Sequence, residues 1–195
     1  MENIIVRRKT FEIKRKVIEK EDHISFECEI KGKKYFVKQY NNLGDFDFEI
    51  KSYKDFSSYG IRNPKLLRKD KKNLTIVYEF INGIKATDVI ADGTISDDWF
   101  EKLFLIYRFA RFSKIDINYL PEFYQMYNGE LVYLNHYFFE QNPKKNLENY
   151  GIDFWLYGER CAEHLKELGY QVDKSKILTK PELNKKIVLL SIMKW

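Results

Sequence analysis

The sequence has few cysteines and no long hydrophobic run. Its two cysteines, Cys28 and Cys161, exclude a disulfide framework and cannot form a zinc site by themselves. His136 has no second ligand at useful spacing, so we predict no metal site. The N-terminal segment lacks the apolar run of a signal peptide, and the longest apolar stretch, 187–193, is far shorter than the roughly 20 residues of a membrane span. We therefore expect a cytoplasmic protein without a transmembrane segment.

The composition is that of a chain with a substantial core. Hydrophobic residues make up 44% and charged residues 32% of the 195 residues, a balance typical of globular rather than disordered proteins. At this length roughly 70% of the surface of the unfolded chain can be buried. One domain, or two small lobes, can therefore be stable without disulfides.

Positive charge is concentrated in the first part of the chain. Residues 1–76 contain 19 basic and 12 acidic side chains, a net +7, whereas residues 77–195 contain 15 basic and 17 acidic ones, a net −2. This excess indicates either an anion-binding lobe or lysine-rich strand edges in solvent. Both signs are interspersed, which favours the second interpretation, and we do not expect nucleic acid as a partner.

The first part of the chain has a strand-rich pattern with one helix. Phe46, Ile50 and Tyr53 lie at helical spacing, and Gly60 follows as a stop, so a helix is predicted over 45–59. A turn at Lys31-Gly32-Lys33 joins two predicted strands. Strands are predicted at Lys9–Glu19, Ile24–Ile30, Lys34–Tyr40, Lys65–Leu67 and Leu74–Phe80, the last two separated by a charged turn at Arg68–Asn73.

The second part is predicted to be mostly helical. Ser96 is a suitable N-cap for a long helix, and Leu131–Leu134 is a short apolar strand. Further helices are predicted over Asp153–Leu168 and from Thr179 to Met193. The fold class is therefore α+β in two lobes: an N-terminal small lobe over 1–82, with a small antiparallel sheet and one helix, and a C-terminal helical lobe over 83–195.

Lys38 and Glu49 are the first candidate site residues. Glu49 lies on the apolar side of the predicted helix, where a carboxylate is costly unless a cation meets it. Lys38 shares its strand face with Phe36 and Tyr40. A strand lysine that faces a glutamate of the next helix can hold phosphates. The alternative is two unrelated surface charges that extend into solvent.

Four stretches resemble the protein-kinase-like fold in its compact form. The likeness is to the RIO kinases, the small tRNA-modification-associated kinase and the bacterial lipopolysaccharide-core kinases. Their order and spacing agree with that fold over most of residues 24–168. The stretches are Lys33–Tyr40 (KKYFVKQY), Phe48–Leu67 (FEIKSYKDFSSYGIRNPKLL), Leu74–Ile90 (LTIVYEFINGIKATDVI) and Gly151–Arg160 (GIDFWLYGER).

The resemblance implies roles for four residues and makes the two lobes one kinase-like domain. Lys38 matches the phosphate-binding lysine and Glu49 its ion-pair partner. Glu79 begins the hinge that joins the lobes and would border the nucleotide. Asp153 matches the structural aspartate that supports the catalytic loop. ATP is the cofactor that the resemblance implies.

The departures from the family pattern concern the catalytic groups. The turn at Ile18–Ile24 has no glycine and three carboxylates, whereas kinases use a glycine-rich loop there. Aligned on Pro121-Glu122, Asn118 takes the position of the catalytic base and Phe123 that of a metal-binding asparagine. Asn135 takes the position of the metal-binding aspartate, and an amide lacks the charge that holds Mg²⁺.

These departures predict a pseudokinase with no intact catalytic residues. We expect it to act as a nucleotide-sensing, scaffolding or regulatory module whose partner is another protein, with ATP as a possible ligand and without magnesium. The first alternative is an active atypical ATP-dependent phosphotransferase in which Asp116 or Glu122 substitutes for the lost groups. The second is a protein that binds phosphate backbones or membrane surfaces through Arg7, Arg8, Lys14 and Lys16.

Overall fold

The computed structural model describes residues 2–191, and these form two compact units. The first unit comprises the chain up to Ser58 together with Asn63–Ile81, and the second comprises Tyr59–Arg62 with the chain from Asn82 onward. The predicted boundary after residue 82 lies one residue away. Residues 59–62 were predicted in the first lobe but belong to the second unit, where the Arg62 carbonyl accepts a hydrogen bond from the Tyr133 N–H at 2.9 Å.

The first unit is built on a six-stranded antiparallel sheet. The strands follow one another in the order β1-β2-β3-β4-β6-β5, which places β4 and β6 side by side in the interior and β5 at an edge. Strand β2 has the predicted bounds. The strands are β1 (Asn3–Val6), β2 (Lys9–Glu19), β3 (His23–Ile30), β4 (Lys33–Tyr40), β5 (Leu66–Asp70) and β6 (Thr75–Glu79).

Two strand predictions for this unit were wrong. The segment predicted as a charged turn, Arg68–Asn73, contributes its first three residues to β5. Strand β1 was not predicted at all. The β3–β4 hairpin does turn where expected, with Lys31 at φ 50 and Gly32 at φ 78, and both left-handed residues suit a two-residue hairpin loop.

Alternation along the strands gives this sheet two apolar faces. One face buries Val37 and Val77 with Ile4, Val6, Phe11 and Cys28. The other buries Tyr40, Ile76 and Tyr78 against Phe46 and Ile50. Because Lys38 has the parity of Tyr40, its side chain starts from the face that packs on the helix.

Helix α1 (Leu43–Ser57) supplies the residues that cover this second face. The Asn42 side-chain oxygen accepts the Asp45 N–H at 2.9 Å and caps the helix, as a helix N-terminus requires. Phe46, Glu49 and Ile50 are buried on the side that faces the sheet. The helix therefore begins and ends two residues earlier than predicted.

The second unit contains helices and short strands. Five strands of two to four residues form two small sheets, one in the order β10-β9-β7 and one pairing β11 with β8. The strands are β7 (Ile84–Lys85), β8 (Ile115–Asp116), β9 (Tyr124–Tyr127), β10 (Glu130–Tyr133) and β11 (Phe139–Glu140); the helices are α2 (Ala86–Ala91), α3 (Asp97–Phe112), α4 (Glu159–Glu167) and α5 (Lys180–Ser191).

The helix predicted over Asp153–Leu168 is interrupted. Gly151–Phe154 forms a 3-10 turn, and α4 begins only after Gly158. The predicted end of the last helix at Met193 lies outside the described residues. The α+β class, with an antiparallel sheet and one helix followed by a more helical part, is confirmed. Among residues 2–191, no helix is both long and apolar enough to cross a membrane.

Candidate functional site

Lys38 and Glu49 form a buried ion pair in the first unit. The Lys38 Nζ lies 2.7 Å from the Glu49 Oε1, and the side chains are 13% and 0% exposed. Strand β4 presents the lysine from the interior of the sheet, and α1 lays the glutamate over it. A fully buried carboxylate needs such a cation, so the contact fixes the position of the lysine ammonium on this face.

Tyr78 is a third member of this cluster. Its hydroxyl donates to the same Glu49 Oε1 at 2.9 Å, and its ring centroid lies 5.8 Å from the Lys38 Nζ. Its place follows from the sheet register, in which Ile76 pairs with Lys38 and Tyr78, two residues further along, shares that face. This register cannot be read from the sequence, so Tyr78 was not predicted.

Glu79 is hydrogen-bonded to Lys65, the residue directly before β5. Its carboxylate accepts the Lys65 N–H at 3.2 Å, and its own N–H donates to the Lys65 carbonyl at 2.8 Å. These bonds fix the end of β6. The nucleotide contact that the resemblance implies for Glu79 stays a prediction.

The β2–β3 turn is closed by Asn41. The Asn41 side chain donates to the Glu21 carbonyl at 2.7 Å, and its backbone N–H donates to the Asp22 carbonyl at 3.0 Å. The Asp22 carboxylate lies 3.0 Å from the His23 Nδ1. The bonds that hold this acidic turn engage its carbonyl oxygens.

Asn118 uses its polar groups within its own loop and with two tyrosines of β9 and β10. Its Oδ1 accepts the Leu120 N–H at 3.0 Å, and its carbonyl accepts the Tyr124 hydroxyl at 2.9 Å. Its N–H donates to the Tyr133 hydroxyl at 3.3 Å. The side-chain oxygen therefore stabilises the loop conformation, as short amide side chains do in turns.

Asn135 makes a similar local turn after β10. Its Oδ1 accepts the His136 N–H at 2.8 Å and the Tyr137 N–H at 3.4 Å. This side-chain oxygen thus caps the backbone that follows it, and the correspondence of Asn135 to a metal-binding aspartate stays a prediction.

Asp116 is the buried carboxylate of the second unit. It is 6% exposed, and its Oδ2 accepts the Asn142 N–H at 2.6 Å. Burial raises the pKa of Asp116, and the hydrogen bond from the Asn142 N–H only partly opposes this effect. A carboxyl whose pKa is raised by burial suits proton transfer better than an exposed one.

Asp116 also lines a cavity of about 310 Å³ in the second unit. Three aromatic rings and several polar groups share the lining, which suits a small organic ligand in chemistry although the volume is at the low end for one. The lining residues are Asp116, Ile117, Asn118, Tyr119, Phe139, Glu140, Asn142, Lys145 and Tyr150.

Glu122 is held apart from this cavity by a different partner. Its Oε2 lies 2.9 Å from the Nε2 of His164 on α4, and Glu122 is not among the residues that line the cavity. The two predicted substitutes for the catalytic groups therefore occupy different environments.

The loop that contains Asn118 is supported by Trp155. The Trp155 Nε1 donates to the Tyr119 carbonyl at 2.7 Å in a buried position. Asp153, predicted for this supporting role, is 45% exposed and lies 3.1 Å from the Arg160 guanidinium. Trp155 lies two residues beyond Asp153, within the stretch that carries the resemblance. It was not predicted, because the resemblance assigns the supporting role to a carboxylate and not to an indole N–H.

The described side chains include no group of three or more histidine, cysteine, aspartate or glutamate residues arranged to hold a metal ion.

Comparison with known proteins adds one structural likeness. No family model matches the chain, and no curated protein matches it. Among the solved structures that match is the autoinhibited serine kinase domain of the giant muscle protein titin, at 16% identity and a TM-score of 0.47, over 68% of this chain and 47% of that one. The chain thus spans about half the length of that titin chain, and the likeness concerns the fold alone.

Proposed function

We propose that this protein is a kinase-like module without phosphotransfer activity, which senses a nucleotide or serves as a scaffold for another protein. The observation that carries the proposal is the buried Lys38–Glu49 pair. In protein kinases, a strand lysine that pairs with a glutamate of the following helix binds the α- and β-phosphates of ATP. An ammonium has three N–H donors, so Lys38 can hold Glu49 and a phosphate oxygen together.

The loss of catalysis is argued from the amides at two positions. The resemblance aligns Asn118 with the catalytic base and Asn135 with a metal ligand of kinases, and both side-chain oxygens accept hydrogen bonds from nearby backbone. General-base catalysis alone contributes about 10²–10⁴-fold, and the metal ions that neutralise phosphate charge contribute further. A site without either group binds nucleotide more readily than it transfers phosphate.

Asp116 favours a second candidate, an atypical phosphotransferase. It is a buried carboxylate of raised pKa beside a cavity that also includes Asn118. Such a carboxylate can accept a proton from a hydroxyl substrate. This candidate requires turnover of ATP, whereas the first requires none.

Calorimetric titration with ATP, with and without Mg²⁺, tests the proposal. We expect wild-type protein to bind ATP equally well in both conditions, Lys38→Ala to abolish binding, and Lys34→Ala to retain it. Lys34 is a matched control because it lies on the same strand but pairs with Glu27 at 2.6 Å with 47% of its side chain exposed. Circular dichroism establishes that both variants are folded.

The other outcomes separate the candidates. Turnover of ATP that depends on Mg²⁺ and is lost in Asp116→Asn contradicts the first proposal and supports the phosphotransferase. Absence of nucleotide binding removes the sensing role and leaves the scaffold.

A further inference from the structure

The first unit has a groove lined mainly by cations, which belongs to no part of the Lys38–Glu49 cluster. Its volume is about 490 Å³. One wall comes from α1, another from the edge strand β5 and the turn after it, and the β1–β2 turn closes one end. The lining residues are Arg7, Phe46, Asp47, Ile50, Lys51, Lys54, Lys69 and Lys71.

The cations of this groove are mostly uncompensated. Lys71 pairs with Asp47 at 3.0 Å. Lys51, Lys54 and Lys69 are exposed, and none of them has an ion-pair partner among the carboxylates of residues 2–191. Like charges that converge on one concave surface repel one another, so a bound anion relieves this repulsion.

The backbone around the groove is held by contacts that do not use the ammonium groups of Lys51, Lys54 and Lys69. The Arg7 N–H donates to the Asp70 Oδ2 at 2.9 Å, which ties the β1–β2 turn to the end of β5. Lys51 and Lys54 are three residues apart on α1 and therefore lie on one side of the helix. Phe46 and Ile50, only 2% and 9% exposed, form the apolar floor.

The shape and lining of the groove narrow the class of ligand. Single-stranded nucleic acid is bound largely through aromatic rings on which bases stack, but the one aromatic residue of this groove, Phe46, is buried in the core. A bilayer surface is flat on this scale and meets convex or flat basic faces. A concave groove between a helix and a strand instead accepts one chain, as in the known modes of peptide recognition.

From this charge and shape we infer that the groove between α1 and β5 is a docking site for an acidic peptide segment of a partner protein. Carboxylate or phosphate groups of that segment pair with Lys51 and Lys54 on one wall and with Lys69 on the other. This site is independent of the nucleotide site proposed above, so either can be wrong without the other.

Fluorescence anisotropy with a fluorescein-labelled hexaglutamate peptide tests the inference. We expect wild-type protein to bind the peptide with an affinity that falls as salt is raised. The groove variant, Lys51→Ala/Lys54→Ala/Lys69→Ala, should bind about tenfold more weakly, because three exposed ion pairs with the peptide are lost together.

The control variant, Lys14→Ala/Lys16→Ala/Lys20→Ala, removes the same charge from β2 and the turn after it. It should retain affinity within about threefold of wild type if location, and not net charge, determines binding. Equal losses in both triple variants, or no binding of the peptide to wild type, overturn the inference.

Two further probes test the occupant. An oligouridine strand and vesicles of phosphatidylserine and phosphatidylcholine are titrated against the same three proteins. If either binds more tightly than the peptide and the groove variant abolishes that binding, the partner is not an acidic peptide. Weaker binding of both probes than of the peptide supports it.

Discussion

The buried Lys38–Glu49 pair makes Lys38→Ala a strongly destabilising substitution in the first unit. Lys38→Ala leaves a carboxylate with 0% exposure and without its cation, and breaking a buried pair in this way costs about 3 kcal/mol or more. Urea denaturation at neutral pH measures the loss. Lys34→Ala should cost under about 1 kcal/mol, because its ammonium is half exposed and Glu27 keeps Arg15 at 2.7 Å. Equal losses would contradict the buried-pair argument.

The buried Asp116 carboxyl should make the free energy of unfolding depend on pH. Burial raises its pKa in the folded protein, so the folded state holds this proton more tightly than the unfolded state. The stability contributed by the protonated form is complete below about pH 4, the range of an unperturbed carboxyl, and is lost as the pH rises through the raised pKa.

Comparison with Asp116→Asn isolates this effect. The variant does not titrate at this position and its amide oxygen can still accept the Asn142 N–H. We expect the free energy of unfolding of wild type to fall relative to the variant between acidic and neutral pH. A constant difference across that range would show that the carboxyl is not perturbed.

Single residues also show where sequence reasoning stops. The Lys38–Glu49 contact was one of two alternatives left open by strand parity and helix spacing, and the resemblance favoured it over two unrelated surface charges. Tyr78 and Trp155 were missed, because their hydrogen bonds to Glu49 and to the Tyr119 carbonyl depend on tertiary packing. From sequence alone, a tyrosine or a tryptophan is assigned to the hydrophobic core, and the hydrogen bond that its single polar atom makes is not predicted.

Loss of the N-cap side chain should destabilise the protein more at α1 than at α3. Asn42→Ala removes the bond from Oδ1 to the Asp45 N–H and should cost about 1 kcal/mol. Ser96, the N-cap residue of α3, makes no such side-chain bond, so Ser96→Ala should cost a few tenths of a kcal/mol. Thermal unfolding of the two variants gives the comparison, and a larger loss for Ser96→Ala would contradict it.

A side chain at position 83 should destabilise the small β10-β9-β7 sheet. A Cβ at this position would lie 2.9 Å from the carbonyl carbon of Met126, and Met126 pairs with Ile84 of β7. That backbone cannot move without loss of the pairing, so Gly83→Ala should cost about 2 kcal/mol.

Gly158→Ala is the matched control for this substitution. Its Cβ would lie 2.7 Å from a methyl carbon of Leu183, and a leucine side chain can rotate away. We expect its thermal midpoint to fall less than that of Gly83→Ala. The reverse order would show that β7 and β9 separate easily.

Elements with strong periodicity were predicted, whereas several short or edge elements were not. β2 and α1 have clear patterns of their own. β5 was read in part as a turn because an edge strand exposes charged residues to solvent, and its burial alternates between intermediate and exposed. β1 and α2, of four and six residues, are too short for periodicity to identify.

The two buried thiols, one in each unit, can report on the unfolding of the whole molecule. Cys28 lies in the first unit and Cys161 in the second, and both are 0% exposed. Burial raises the pKa of Cys28 to about 11 and that of Cys161 to about 12, so little thiolate is present to react.

We expect both thiols of the native protein to react with iodoacetamide at least about a thousandfold more slowly than in urea, since reaction requires unfolding. Cys28→Ser and Cys161→Ser then report each unit separately during a urea titration. Rapid labelling of either thiol in the native protein would contradict its burial.

The predicted boundary lies where strand signals give way to helical ones, and it is one residue from the point at which the chain passes into the second unit. The sequence could not predict the transfer of residues 59–62 to the second unit. That transfer depends on the Tyr133 N–H and on the Tyr59 ring, which lies 5.2 Å from the Phe138 ring, and these contacts join residues more than 70 positions apart.

The turn at Asn135 determines what a carboxylate at this position could do. Aspartate caps such turns as readily as asparagine, so a carboxylate introduced there would keep the His136 and Tyr137 N–H groups as its partners. Asn135→Asp would therefore add a negative charge directly after β10 while one of its oxygens stays committed to the main chain.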